Sequence, residues 1–333
     1  MLDERWSPEV EEIAVALRRM LDVESSTQRV RAAEQDHDGQ DPGLEQHLSA
    51  FGLNALEGDA ELFARIAFEL GRALASTPMV ETLPVLALTG RADVALAFGR
   101  PAPAGIKHVA VRRDDGVYVE ALRGQSRFTS AGDALVEHDA GGPGERLGDL
   151  LLADGLERYA ALTEAARLVG AGQALLLLGT TYANERRQFG KIIGTYQGVA
   201  HRLADAAGHL DAAELLVRKA AFTARPEAGG DGAPARAFAL MLRSKAIEAA
   251  RGVATDVHQV FGGNGFALEY DVQLYSRRLR SWAMRGPRAA HDLAALGRLV
   301  LDPVQRDALR LMWHFDEGMP LPRWAREADG GAA

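Results

Sequence analysis

Residues 184–197 read NERRQFGKIIGTYQ, and they fall between two long stretches with helical apolar spacing, 156–184 and 195–224. The second stretch places Val199, Leu203, Ala206, Leu210, Ala213 and Val217 on one face. The quoted segment is therefore a turn connecting two long helices. It carries Arg186, Arg187, Gln188 and Lys191 beside Phe189 and Gly190. Guanidinium forks match phosphate oxygens in pairs, so a turn of this composition suits a pyrophosphate with a ring nearby. The same residues also fit a solvated helix–helix loop in which Phe189 plugs the core.

A second segment, QVFGGNGF over 259–266, closes the next helical stretch, 235–261. Gly262 and Gly263 allow a backbone whose exposed N–H groups form an anion-binding nest. Taken alone, a plain glycine helix stop is the simpler reading. Gln259 lies one turn earlier. Further out, 270–285 and 288–300 read as two more helices, the first rich in arginine (Arg277, Arg278, Arg280). Gly170-Ala171-Gly172 follows no strand and reads as a point of close helix packing.

Toward the N-terminus the pattern starts as helix. Residues 8–23 repeat Val10, Ile13, Leu17, Met20 and Leu21 at helical spacing. Residues 24–42 are polar, a loop or frayed helix; 43–57, broken at Gly52, and 60–76 read as helices. After Pro78 short Val-, Phe- and Tyr-containing runs near 92–98, 106–112, 116–122 and 126–137 read as strands, with Asp114-Asp115-Gly116 as a hairpin turn and 141–144 as a linker. The predicted architecture is mainly α with a small β insert: N-terminal helices over 1–77, a reduced middle β domain over 78–155, a C-terminal four-helix-type bundle over 156–325, broken by a flexible segment at 225–234, and a flexible tail over 326–333.

The formal charge of −8 offers no electrostatic case for nucleic acid. The absence of cysteine excludes disulfides and thiolate-bound metals. His201, His209, His258 and His291 are scattered, without metal-site spacing. No h-region and no run of about 18 apolar residues is apparent, so a cytoplasmic protein is the expectation.

The order Arg-x-Gln-Phe-Gly, Tyr-Gln, Leu-Ala-Asp, Phe-Gly-Gly-Asn-Gly-Phe, Leu-Glu-Tyr and Arg-Arg, running from about Leu156 to Leu299, resembles the C-terminal domain of acyl-CoA dehydrogenases. Phe51-Gly52-Leu53 and Phe68–Leu74 are similar to helices of that family's first domain. The resemblance implies FAD shared at a subunit interface, with the neighbour's C-terminal domain clasping the pyrophosphate and adenosine. Arg186 would then reach the pyrophosphate; Gln188, Phe189, Ile193, Tyr196 and Gln197 would line the cofactor site; Gln259, Gly262 and Gly263 would approach the adenosine diphosphate. An acyl-CoA substrate and an electron-transfer flavoprotein or similar acceptor are implied as partners.

Against that pattern two parts are missing. The family's base, a glutamate that takes the α-proton, stands at one of two positions. One reads here as Arg285, within Met284-Arg285-Gly286-Pro287. The other falls on Ala160, beside Ala161. Neither residue type moves that proton. Glu157 and Glu164, about a turn to either side, are the candidates for a displaced base. The middle domain is also short. Leu88-Thr89-Gly90-Arg91 stands poorly for the family's flavin-contacting loop, and no tryptophan occurs between Trp6 and Trp282. This asymmetric loss resembles the non-catalytic chain of heteromeric (α2β2) dehydrogenases associated in actinobacteria with steroid side-chain thioesters, paired with a homologous catalytic subunit. A vacated half-site would leave space for a bulky substrate. The competing readings are a self-sufficient homo-oligomeric enzyme using Glu157, Glu164 or Asp292, and a helical scaffold that does not bind FAD.

Overall fold

The computed structural model describes residues 6–35, 39–224, 232–286 and 289–309. Most of the predicted break at 225–234 and all of the predicted tail lie outside them.

Five helices lead the chain: α1 (Pro8–Glu24), α2 (Thr27–Ala33), α3 (Pro42–Ala50), α4 (Ala60–Arg72) and α5 (Met79–Thr89). Asp41 and Asp59 cap α3 and α4 by accepting two backbone N–H bonds each. The polar stretch read as a loop or frayed helix holds the short α2, whose first turn is capped by the Ser26 hydroxyl. The β region in turn opens on a helix, α5, which carries Pro84 inside it. An internal proline argues against a helix, but here burial of Leu83, Val85 and Leu86 outweighs it.

The strands are β1 (Val94–Leu96), β2 (Ala102–Pro103), β3 (His108–Arg113), β4 (Gly116–Ala121), β5 (Ser126–Phe128), β6 (Ala134–Val136) and β7 (Gly144–Gly148). They form a four-stranded sheet ordered β1-β3-β4-β7 and a three-stranded sheet ordered β2-β6-β5. The hairpin expected at Asp114-Asp115-Gly116 joins β3 to β4 in register Arg113↔Gly116. The run read as one strand over 126–137 is two, turning at 129–133. On β4 the buried Glu120 accepts from Arg113, from the N–H groups of Gly141 and Gly142, and bonds His138. Burial alone would raise its carboxyl, but Arg113, His138 and the two amides hold it at about 2.

The C-terminal half is α6 (Leu150–Glu185), a two-residue ribbon β8 (Arg187–Gln188) and β9 (Lys191–Ile192), then α7 (Gln197–Thr223), α8 (Ala233–Phe261), α9 (Val272–Trp282), α10 (Ala289–Leu301) and α11 (Pro303–Leu309). Helix α6 begins at Leu150 rather than 156, because Asp149 caps it with bonds to the N–H groups of Leu151 and Leu152. It is long and apolar enough to cross a membrane, yet 67% of its most apolar window is buried inside the fold, as in a core helix. It packs on α4 and on α7 and α8. Glycines make the closest crossing: a Cβ on Gly170 would run into the Phe68 carbonyl, and one on Gly71 into the Arg167 carbonyl. The close packing expected at Gly170 is thus met by α4. The α6 residues Leu156 and Ala160 also cover the four-stranded sheet, against Leu96, Phe98 and Val119.

Candidate functional site

The predicted turn after α6 is a β-hairpin with Gln188↔Lys191 as its last pair. Its tip is Phe189-Gly190, with φ of +54° and +85°. Left-handed backbone at both central residues is the geometry that suits the twist of a two-residue hairpin. Phenylalanine there carries backbone strain, and strain of this kind concentrates at functional positions. The Phe189 ring does not plug the core; it is 91% exposed. Tyr196 supports it edge-on at 6.5 Å and donates its hydroxyl to the Phe189 carbonyl at 3.0 Å. The ammonium of Lys191 sits 4.1 Å from the Tyr196 ring.

The second glycine segment meets this hairpin. Tyr182, one turn before Arg186, stacks on Phe261 at 4.1 Å and 13°. The Asn264 side-chain amide donates to the Tyr182 hydroxyl at 2.9 Å. The result is a groove of 440 Å³ whose lining includes Arg186, Gln188, Phe189, Ile193, Tyr196 and Gly263. Six of the nine predicted cofactor residues are therefore brought together. Gln197, Gln259 and Gly262 are exposed beside the groove without lining it. Tyr182 and Asn264 were missed. Asn264 lay inside the motif already singled out, and Tyr182 is one helical turn from Arg186.

The groove fits a diphosphate-bearing ligand. The Arg186 guanidinium has no hydrogen bond or ion pair among the described residues. Gly262 has φ +58°, and Cβ atoms built on Gly262 and Gly263 would meet nothing within 4 Å, so their backbone is open to a close approach.

The two predicted base positions lie elsewhere. Arg285 sits in a buried ionic cluster. It donates to Glu81 at 3.0 Å and pairs with Asp133, while Arg167 reaches the same Glu81 oxygen at 2.7 Å and lies over the Trp282 ring at 4.6 Å. Burial by itself would lower the Arg285 pKa, but Asp133 and Glu81 outweigh it and raise it. The cavity among these residues holds only about 30 Å³. Two of the neighbouring arginines of α9 are not free for a ligand either: Arg277 and Arg278 both bind Glu34.

Ala160 is buried. The displaced-base candidates beside it, Glu157 and Glu164, share one guanidinium, that of Arg100 from the β1–β2 loop, 3% exposed. Glu157 also faces Arg243 at 3.9 Å. Desolvation raises the Glu157 carboxyl, against the opposing pull of Arg100 and Arg243. It lines a groove of 340 Å³ with Arg158, Ala161, Arg236, Arg243 and Arg298. Asp292, fully buried, is locked in a two-pronged pair with Arg243 at 2.6 Å. Among the described residues no group of three or more His, Asp or Glu is placed to hold a metal.

Residues 157–286 match the family model for the acyl-CoA dehydrogenase C-terminal domain. Acyl-CoA dehydrogenase IpdE2 of Mycobacterium tuberculosis is 30% identical over 71% of this chain and 77% of its own length. Its counterpart in Mycolicibacterium smegmatis is 28% identical over 84% of this chain and 96% of the relative. Among solved structures, the Tcur3481–Tcur3483 steroid ACAD superposes with a TM-score of 0.79 at 22% identity, covering 89% of this chain and 98% of that one. The ChsE4–ChsE5 complex from Mycobacterium tuberculosis gives 0.78 at 18%, covering 90% and 99%. At these identities the structures speak to the fold.

Proposed function

The chain belongs to the acyl-CoA dehydrogenase family, and from that premise we propose that it is the non-catalytic, FAD-clasping subunit of a cytoplasmic α2β2 dehydrogenase that desaturates an acyl-CoA thioester. A homologous partner supplies the base and the flavin-ring pocket.

One observation carries this reading. The groove at Arg186 and the base positions at Ala160 and Arg285 belong to opposite ends of the molecule. Ala160 lies near the start of α6 and Arg186 is the residue that caps its end, a separation of roughly 40 Å at a rise of about 1.5 Å per residue. No single extended dinucleotide covers that span. A cofactor held by its diphosphate at Arg186 must therefore offer its ring to another chain. FAD, when bound, supplies the hydride acceptor. What this chain contributes is positioning: Arg186 pairs with phosphate oxygens, the Gly262–Gly263 backbone, bare of side chains, lets the diphosphate approach closely, and Phe189 and Tyr196 give flat apolar contact.

The substrate class follows the family, an acyl-CoA; the likeness to the Tcur3481–Tcur3483 steroid ACAD supports a steroid-derived acyl group, the likeness to the two-chain ChsE4–ChsE5 complex supports a homologous partner, and the acceptor would be an electron-transfer flavoprotein. The test is co-purification with a homologous subunit encoded beside this chain, with flavin absorbance and dehydrogenation assayed for each preparation. Yellow, active protein only in the pair is the expected outcome. Turnover by the isolated chain, abolished by Glu157→Gln, would replace this reading with the self-sufficient one, which the raised Glu157 carboxyl and its 340 Å³ groove favour.

A further inference from the structure

We infer that this subunit seals its own reaction half-site with two arginines, Arg100 and Arg285, rather than leaving it vacant. The inference deepens the non-catalytic reading and rests on it.

The family's two base positions mark where the thioester α-carbon would lie, and a guanidinium stands at each. Glu157 and Glu164 are seven residues apart on α6, two turns along one face, with Ala160 and Ala161 between them. A guanidinium that binds both carboxylates must cross that interval. Arg100 does so from the β1–β2 loop, donating to Glu157 at 3.0 Å and to Glu164. The second wall of the half-site is the α9–α10 turn. A Cβ on Gly286 would come within 3.1 Å of the same Glu164 carboxylate, so the turn already touches the bridge. One residue earlier Arg285 fills the opposite side, fixed by Glu81 from α5 and Asp133 from the β5–β6 turn.

Charge and space agree. Arg100 and Arg285 are each met by two carboxylates, so a flavin or thioester would have to break buried pairs to enter. The space left at Arg285, about 30 Å³, admits about one water, whereas small-molecule sites run to hundreds of Å³. The residues here do not fit a flavin ring. On this account Glu157 and Glu164 are anchors for Arg100, the space at Arg285 has no room for a bulky acyl group, and the 340 Å³ groove on the far side of Glu157 lies outside the sealed half-site.

The absence of cysteine permits a direct test. Ala160→Cys places a single thiol at the sealed position, and Ser126→Cys places one on an exposed strand as reference. Labelling of the full chain by an aromatic disulfide reagent should be about a hundredfold slower at position 160 than at 126. Adding Arg100→Ala should speed position 160 by about tenfold or more, while Arg65→Ala, which breaks a separate buried ion pair with Glu69, should not. Should the Arg100 variant fail to fold, flavin saturation of the unmodified complex decides, with one flavin per chain pair expected. Equal labelling at 160 and 126, slow labelling indifferent to Arg100, or a second flavin per pair would overturn the seal. A colourless complex with position 160 protected supports the seal and overturns the clasp.

Discussion

Arg186 and Arg285 are the same residue type in the same bundle, and they differ in everything that decides function. Arg186 stands exposed on a groove with no ion pair among the described residues, next to glycines whose backbone is open. Arg285 is enclosed and held by Glu81 and Asp133. A cation left unmatched by its own chain offers its charge to a ligand; a cation matched twice has already used it. The contrast separates an open end with an unmatched cation from an enclosed end whose cations are already paired.

The largest expected effect comes from the shut end. Arg285→Ala leaves Glu81 and Asp133 with Arg167 and Arg278 as the remaining cations, and breaking a buried pair of this kind costs about 3–5 kcal/mol. Urea unfolding of the isolated chain would show it, and a loss below 1 kcal/mol would erase the distinction between the two ends. At the open end, Arg186→Ala should leave stability within about 0.5 kcal/mol. Loss of a charge-assisted contact worth about 1.5–3 kcal/mol should weaken FAD retention in the complex by roughly ten- to a hundredfold. Unchanged flavin occupancy after gel filtration would remove Arg186 from the clasp.

Glu164 and Glu157 sharpen the comparison within a single bridge. The raised Glu157 carboxyl favours the fold below the ordinary carboxylate range, and that contribution is lost as pH rises through its shifted value. At neutral pH Glu157→Gln should therefore leave the melting temperature unchanged or higher, while Glu164→Gln lowers it by removing the more enclosed partner of Arg100. The reverse order would reassign the bridge. The smallest effect concerns Glu120, whose depressed carboxyl stabilises the β region above about 4.5 and loses that contribution as pH falls toward about 2. Glu120→Gln should flatten that acid limb in a melting-temperature profile against pH.

The helical half was legible because its apolar spacing is long and regular, and the two glycine- and arginine-bearing segments mark where it turns. The hairpin at Asp114-Asp115-Gly116 declared itself through turn chemistry. What stayed hidden depends on tertiary partners. Helix α5 contains Pro84 and follows Pro78, and only burial rescues it. The exposure of Phe189 follows from its left-handed backbone, which no spacing rule announces. Arg100 attracted no notice at all. A lone arginine in a Phe-Gly-Arg-Pro loop carries no motif, and its meaning arises only when folding carries it to Glu157 and Glu164, 57 and 64 residues away.

The glycine crossing of α4 and α6 has its own consequence. Backbone touches backbone at Gly71 and Gly170, without side chains to slide or tilt as spacers. A seam of that kind behaves as a weld. The leading helices and the bundle must tumble as one rigid piece, a single methyl at either glycine is wedge enough to split them, and truncating the first seventy residues would lay bare a notched helix rather than release an independent bundle.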